Sequence, residues 1–476
     1  MLTWLLVLTL LTRIPPMLSL PLIQDESVYA MMIEEQYRHP TLIPTFLGVP
    51  VSWKPFLFFW TYAPAATWPA VTEAVYRLPS LLFALGSVAA SYLLLRNARL
   101  SVNTAGLSML IFIFCFFTIY PQSTLLTDSL AFFLISSSLY LYSQEPLGRG
   151  RYALGALLAA AAVFTKLSLG FMVPLLAAAY FYSFGRRTLK DPAFLLSLLA
   201  APLAYGAHIL LLDSAGLAGE ITFQSGGHVV SGAGLMGQLE ILSGSFITIM
   251  MTGSIIWLSL AIYGFAMNWK ENFFLSAWFS LTIIPFFTAS MLPWYYLPVM
   301  PAVGYFAALT LIRWKGREKI DAAFWAFLGF LLLVVIAVLL YNYSTYFAHY
   351  SDHREAGKMM AGKEGVLFIG RYVPGVVAYK VLEDYKSGNP LDYGWIAFPQ
   401  EGTDYSGLAP FIEDYHYSGV TVIDRTFSEL FSRKEIFRKE TNLTSFRYIV
   451  VTEVGGGSLP YDVIYNKSNV TIYEVD

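Results

Sequence analysis

The chain has 476 residues, 56% of them hydrophobic and 13% charged, whereas soluble globular domains carry about a quarter charged residues. That balance excludes an ordinary soluble fold and predicts a polytopic α-helical membrane protein. A formal net charge of −2 without a basic patch sets nucleic acid aside, and the single cysteine, Cys115 in an apolar run, excludes an internal disulfide or a thiolate metal site.

The first apolar run, Leu2 to Leu22, lacks a basic n-region and a small-x-small cleavage site, so it reads as a retained helix and not as a secretory signal. Windows of about 20 residues then give roughly eleven spans. They lie near 2–22, 77–95, 102–120, 124–142, 152–167, 168–184, 192–212, 239–266, 272–290, 292–312 and 322–343. Threading them alternately gathers Arg96, Arg99, Arg149, Arg151, Arg186, Arg187, Lys190, Lys270, Arg313, Lys315, Arg317 and Lys319 on one side, which the positive-inside rule makes cytoplasmic. The opposite loops, among them 23–76, then face outward.

The outer loop 23–76 opens with an acidic pair, Asp25-Glu26, where bilayer gives way to water and unpaired charge needs a reason. Ser27–Tyr37 reads as a helix and Thr67–Tyr76 as a second, amphipathic one, both lying along the membrane surface. Between them Lys54, beside Pro55 and flanked by aromatics, suits a phosphate at headgroup depth. The later outer loop 213–238 is glycine-rich around His228, a candidate substrate contact, and reads as a lid over an outer cavity.

Residues 1–343 form the expected transmembrane domain. Residues 344–476 hold 31 of the 62 charged residues and predict a soluble extracytoplasmic α/β domain, with a helix over Asp352–Met360 and strands at Gly365–Ile369, Val420–Asp424, Tyr448–Thr452, Asp462–Tyr465 and Val470–Tyr473. Four sequons, at Asn342, Asn442, Asn466 and Asn469, agree with an exterior location.

An ordered set of landmarks runs through residues 1–312. It comprises Arg13, Asp25-Glu26-x-x-Tyr29, Lys54-Pro55, Tyr76-Arg77-Leu78-Pro79-Ser80, Thr127-Asp128, Thr165-Lys166-x-x-x-Gly170 with Pro174, and Pro293-Trp294-Tyr295-Tyr296-Leu297-Pro298-x-x-Pro301. In this order they resemble the GT-C glycosyltransferases of the protein O-mannosyltransferase and aminoarabinose-transferase superfamily. Val28 and Phe56 stand where bacterial aminoarabinose transferases usually carry an arginine and a second proline, so the sugar stays open. Residues 344–476 show no signal for the β-trefoil domain typical of eukaryotic protein O-mannosyltransferases, which leaves the acceptor open among protein, glycan and lipid.

The resemblance implies a multi-pass protein of the plasma membrane that takes a sugar from a polyprenyl-phosphate donor, among membrane lipids, and transfers it on the outer face with inversion. Asp25 would then be the base for the acceptor hydroxyl, and Glu26 would bind sugar hydroxyls, support Asp25 or help hold a divalent cation such as Mg or Mn. Lys54, Arg77 and Lys166 would hold the departing phosphate. Asp128 would fix one of these cations, and Tyr29, Tyr295 and Tyr296 would supply hydroxyls or aromatic walls. The plain alternatives are an acidic helix start for Asp25-Glu26, snorkelling for Lys54 and Arg77, and a structural ion pair for Asp128 and Lys166. Two rival functions remain on sequence grounds: a transporter or flippase, which predicts midplane charge and repeated halves, and a catalytically idle assembly subunit of the same fold.

Overall fold

The structure, a computed structural model, describes residues 1–22, 25–46, 48–52, 54–144, 148–167, 169–217, 254–281, 293–314, 337, 350–370, 373–389, 393–396, 446–452, 460–467 and 470–475. Helix α1 (Leu2–Ser19) turns Leu5, Thr9, Arg13 and Met17 inward at intervals of four and leaves Trp4, Leu11 and Leu18 exposed. This is a membrane helix whose outer face is the more apolar one, as expected where lipid replaces water. Helix α2 (Asp25–Arg38), a hairpin of β1 (Thr45–Phe46) and β2 (Val49–Pro50), α3 (Leu57–Tyr62) and a 3-10 turn (Ala63–Thr67) make up the segment before α4 (Glu73–Asn97).

Helix α2 is covered by protein: Glu26 to Gln36 are all buried, which the protein permits because Glu26, Glu34 and Glu35 each meet donors. The expected separate helix over residues 67–76 is corrected. Trp68 is extended after the 3-10 turn, Pro69 follows, and residues 73–76 are the first turn of α4, where Glu73 meets the positive end of the helix dipole.

The bundle continues through α5 (Val102–Phe114), α6 (Phe116–Ser123), α7 (Thr127–Tyr142), α8 (Arg149–Val163), α9 (Met172–Phe184), α10 (Pro192–Leu198), α11 (Ala200–Ser214), α12 (Ser254–Asn268), α13 (Phe273–Ser280) and α14 (Met300–Trp314). Among the described residues four helices are long and apolar enough to cross a membrane, five when the bent pair α5–α6 counts as one. Helices occupy the expected spans through residue 314, while 239–253, 282–290 and all of 322–343 except residue 337 lie outside the described residues. The expected span at 102–120 is broken at Cys115 with a 63° bend. Arg13 fills the break, donating to the Ile113 carbonyl, to the Thr118 hydroxyl at 3.1 Å and to Gln122 at 2.9 Å. A cation at the end of α5 thus takes up a carbonyl that the break leaves without a helical partner.

Close approach of helices is built on small residues. A Cβ on Gly264 of α12 would meet the Phe306 carbonyl oxygen at 2.1 Å, and one on Gly304 of α14 would meet that of Ser108 at 2.4 Å. Backbones therefore touch where side chains are absent, as in many membrane helix pairs.

Beyond the bundle come α15 (Tyr350–Met359), β3 (Val366–Gly370), α16 (Val373–Ser387), β4 (Tyr393–Ile396), β5 (Tyr448–Thr452), β6 (Asp462–Lys467) and β7 (Val470–Glu474). The sheet order is β4-β3-β5-β7-β6, with β3 parallel to β4 and β5, and β7 antiparallel to β5 and β6. All five residues of β5 are buried, as in strands covered on both faces. The sequence reading did not include α16 or β4. The expected strand at Val420–Asp424 and the sequons Asn342, Asn442 and Asn469 lie outside the described residues, and Asn466 is on β6.

Candidate active site

Asp25 begins α2. The end of α1 and the start of α4 meet through Arg77, the first turn of α7 carries Asp128, the connection after α8 brings Lys166, and the hairpin leads into Lys54. The Leu57 amide donates to the Phe164 carbonyl at 3.1 Å and Phe56 packs on Phe164, so the Lys54-Pro55 turn is fixed to the end of α8, two residues before Lys166.

The charges that act on the Asp25 carboxyl are Lys54, Lys166 and Asp128, and the Tyr29 hydroxyl, one turn along α2, hydrogen-bonds to it. Burial is the largest influence and pushes this carboxyl above the ordinary carboxylate range; Lys54 and then Lys166 pull it back toward ionisation, and Asp128 opposes them. Lys54 Nζ lies 5.5 Å from the centre of the Tyr29 ring, within cation–π range. Lys166 Nζ sits 2.6 Å from Asp128 Oδ1 and keeps 13% of its side chain exposed. A partly accessible carboxylate, two cations and an aromatic hydroxyl therefore share one small volume.

Glu26 and Arg77 are placed differently. The pair is bidentate, both contacts 2.8 Å, with side chains 1% and 0% exposed. Arg77 also donates to the carbonyls of Met17 (3.2 Å), Leu20 (2.6 Å) and Pro21 (2.7 Å), and Glu26 accepts from the Leu125 amide at 2.6 Å. Every nitrogen of this guanidinium has a protein acceptor. It ties the end of α1 to α2 and α4. Both oxygens of Glu26 accept hydrogen bonds, Oε1 from Arg77 and the Leu125 amide and Oε2 from Arg77. Among the described residues no group of three or more His, Cys, Asp or Glu is arranged to hold a metal.

Tyr296 is buried and stacks on Phe117, with ring centres 4.9 Å apart, in the segment that packs against α6 and α7. His228 and the side chain of Tyr295 lie outside the described residues. Behind the hairpin, Thr41, Leu42, Ile43, Thr45, Pro50 and the C-terminal end of α11 with the residues just after it line an open, mostly apolar groove of about 620 Å³.

Residues 22–212 match the family described as dolichyl-phosphate-mannose-protein mannosyltransferase. The crystal structure of ArnT from Cupriavidus metallidurans in the apo state superposes with a TM-score of 0.61 at 14% identity, over 99% of this chain and 97% of that one. The same protein bound to undecaprenyl phosphate gives 0.58 at 14% identity, with the same coverage. The chain has the fold of these ArnT structures. No curated protein sequence matches it. In this fold, the bundle of apolar helices is the membrane part of a polytopic protein.

Sequence reasoning missed Glu34, Glu35 and Glu73. All three are buried acids that hold the site's supports together, and their signal was present as carboxylates in segments that otherwise fold into the protein interior.

Proposed function

We propose that this chain is an inverting glycosyltransferase that moves a sugar from a polyprenyl-phosphate donor to an acceptor hydroxyl on the extracytoplasmic face of the plasma membrane. The observation that carries the reading is the placement beside Asp25 of two cations, Lys166 at 2.6 Å from Asp128 and Lys54 over the ring of Tyr29, whose hydroxyl bonds to Asp25. Asp25 takes the proton of the acceptor hydroxyl as its oxygen bonds to the anomeric carbon. The bond from that carbon to the phosphate oxygen breaks, and the charge on the departing polyprenyl phosphate is met by Lys54 and Lys166. Asp128 holds Lys166, and the Tyr29 hydroxyl orients Asp25. A carboxyl raised by burial lies nearer working pH, where a general base is most effective.

Several features support the location and the substrate. The site lies at the end of the bundle opposite Arg96, Arg149, Arg151, Arg186 and Arg313, which the positive-inside rule assigns to the cytoplasm. The apolar groove by the hairpin suits part of an isoprenoid chain. Residues 1–343 would form the membrane domain and 344–476 an outer α/β domain that covers the site. The test is transfer by purified protein from a panel of polyprenyl-phosphate sugars to protein, glycan and lipid acceptors. Transfer that disappears in Asp25→Asn supports the reading. No transfer with any donor, while polyprenyl phosphate still binds, supports the idle-subunit alternative instead.

A further inference from the structure

Helix α16, outside the bundle, runs beside α2 and reaches both halves of the candidate site. At one end the Tyr379 hydroxyl accepts from the Leu22 amide at 2.7 Å and donates to Glu73 Oε1 at 2.6 Å. Leu22 is three residues ahead of Asp25. Glu73 is held in turn by Arg354 of α15 at 2.6 Å, and Tyr379 is fully buried.

Six residues further along α16, the Tyr385 hydroxyl donates to Glu35 Oε1 at 3.1 Å. Both oxygens of Glu35 accept from the Gly48 amide at 3.0 Å, and Oε2 takes the Thr45 hydroxyl at 2.6 Å. Gly48, at φ 74°, is the turn of the hairpin whose second strand leads to Lys54. The adjacent Lys386 pairs with Glu34, which also accepts from Tyr76 of α4. One helix therefore carries separate contacts to the acid end and to the cation end of the site.

We propose that α16 positions the two halves of the transfer site independently, Tyr379 setting Asp25 and Tyr385 setting Lys54. The proposal rests on the glycosyl-transfer reading. Neither tyrosine touches substrate in that reading; each acts through the backbone it holds. Small displacements at a reacting group cost rate steeply, up to about 10²-fold for 1 Å. Displacement of a group that binds donor phosphate costs donor affinity instead.

The experiment compares wild type, Tyr379→Phe and Tyr385→Phe, each keeping its ring and losing its hydroxyl. Tyr379→Phe is expected to lower kcat on the order of tenfold with donor KM unchanged, and to move the acid limb of the pH profile. Tyr385→Phe is expected to raise donor KM several-fold, on the order of one lost hydrogen bond, with kcat near wild type. A merely structural role would leave the acid limb in place and impair kcat and donor KM alike in both variants, and that result overturns the proposal.

A second measurement does not depend on turnover. Hydrogen–deuterium exchange on the full chain in lipid nanodiscs should quicken around residues 18–30 in Tyr379→Phe and around residues 44–56 in Tyr385→Phe. Wild-type exchange in both variants, or equal loosening of both segments, overturns the proposal. A wild-type protein that transfers nothing but shows the split exchange pattern defeats the glycosyl-transfer reading and leaves the positioning intact. Should Tyr379→Phe fail to accumulate, Glu73→Gln, which retains a weaker acceptor for the Tyr379 hydroxyl, is expected to give a smaller loss confined to kcat; loss in donor KM there overturns the assignment.

Discussion

Glu26–Arg77 and Asp128–Lys166 are both carboxylate–cation pairs at the same end of the bundle, at 2.8 Å and 2.6 Å, and their surroundings set them apart. The first is closed: three backbone carbonyls and one amide complete its hydrogen bonding, and neither side chain meets solvent. The second is open on the lysine side, and both partners act on Asp25. A buried pair of the first kind contributes through what its loss would expose, since an uncompensated charge in the interior is costly. A pair of the second kind holds a cation in reserve beside a reacting group. Charge and contact distance are alike in the two cases; the acceptors around the cation distinguish them.

The sharpest test concerns the carboxylate that the open pair faces. Asp25→Asn is expected to reduce transfer on the order of 10²–10⁴-fold, with thermal stability preserved because a neutral amide relieves a buried charge. Substantial residual turnover would remove Asp25 from the chemistry. Arg77→Ala tests the closed pair. It should cost about 3–5 kcal/mol of stability, read as a lowered Tm in detergent or as failure to accumulate. If the variant stays folded and loses only donor binding, the distinction between the pairs collapses.

Lys166→Ala is expected to raise donor KM roughly tenfold, near the value of one charge-assisted hydrogen bond, together with a fall in Tm, because the buried Asp128 carboxylate loses its partner. A fall in Tm with donor KM unaltered would make both pairs structural. The smallest effect is in pH dependence. Asp25 must be ionised to act as base, and burial raises its pKa, so activity should rise as pH increases through a value above the ordinary carboxylate range. Lys54 is the cation that most favours the ionised form, so Lys54→Ala should move this limb to higher pH. A limb that stays in place would separate Lys54 from Asp25.

Much of this was legible in the sequence, and the rest depended on contacts between distant segments. Hydrophobic runs located the helices, and a charge at a span end called for a partner; Asp128 and Lys166 provide such a pair. The fate of Arg77 was not legible, because it depends on three carbonyls at the end of α1 being turned toward it. Snorkelling and phosphate binding both assumed an arginine short of acceptors. The bend at Cys115 was hidden for a similar reason: an apolar run carries no local sign of a break that a remote arginine, Arg13, makes tolerable. Helix α16 was missed although Val376, Val377, Tyr379, Val381 and Leu382 are buried at helical spacings, since its β-branched residues and flanking glycines resemble the strands around it.

Glu26 gives the acidic pair an evolutionary asymmetry. Through one carboxylate it joins the end of α1, the start of α4 and the turn into α7, so replacing it disturbs three elements at once. Asp25 carries no comparable share of the architecture. A descendant of this chain that gave up catalysis for an assembly role could therefore drift at position 25 while remaining pinned at position 26. Across relatives, an intact glutamate beside a lost aspartate would mark a retired enzyme, whereas loss of both would mark a refolded entrance to the bundle.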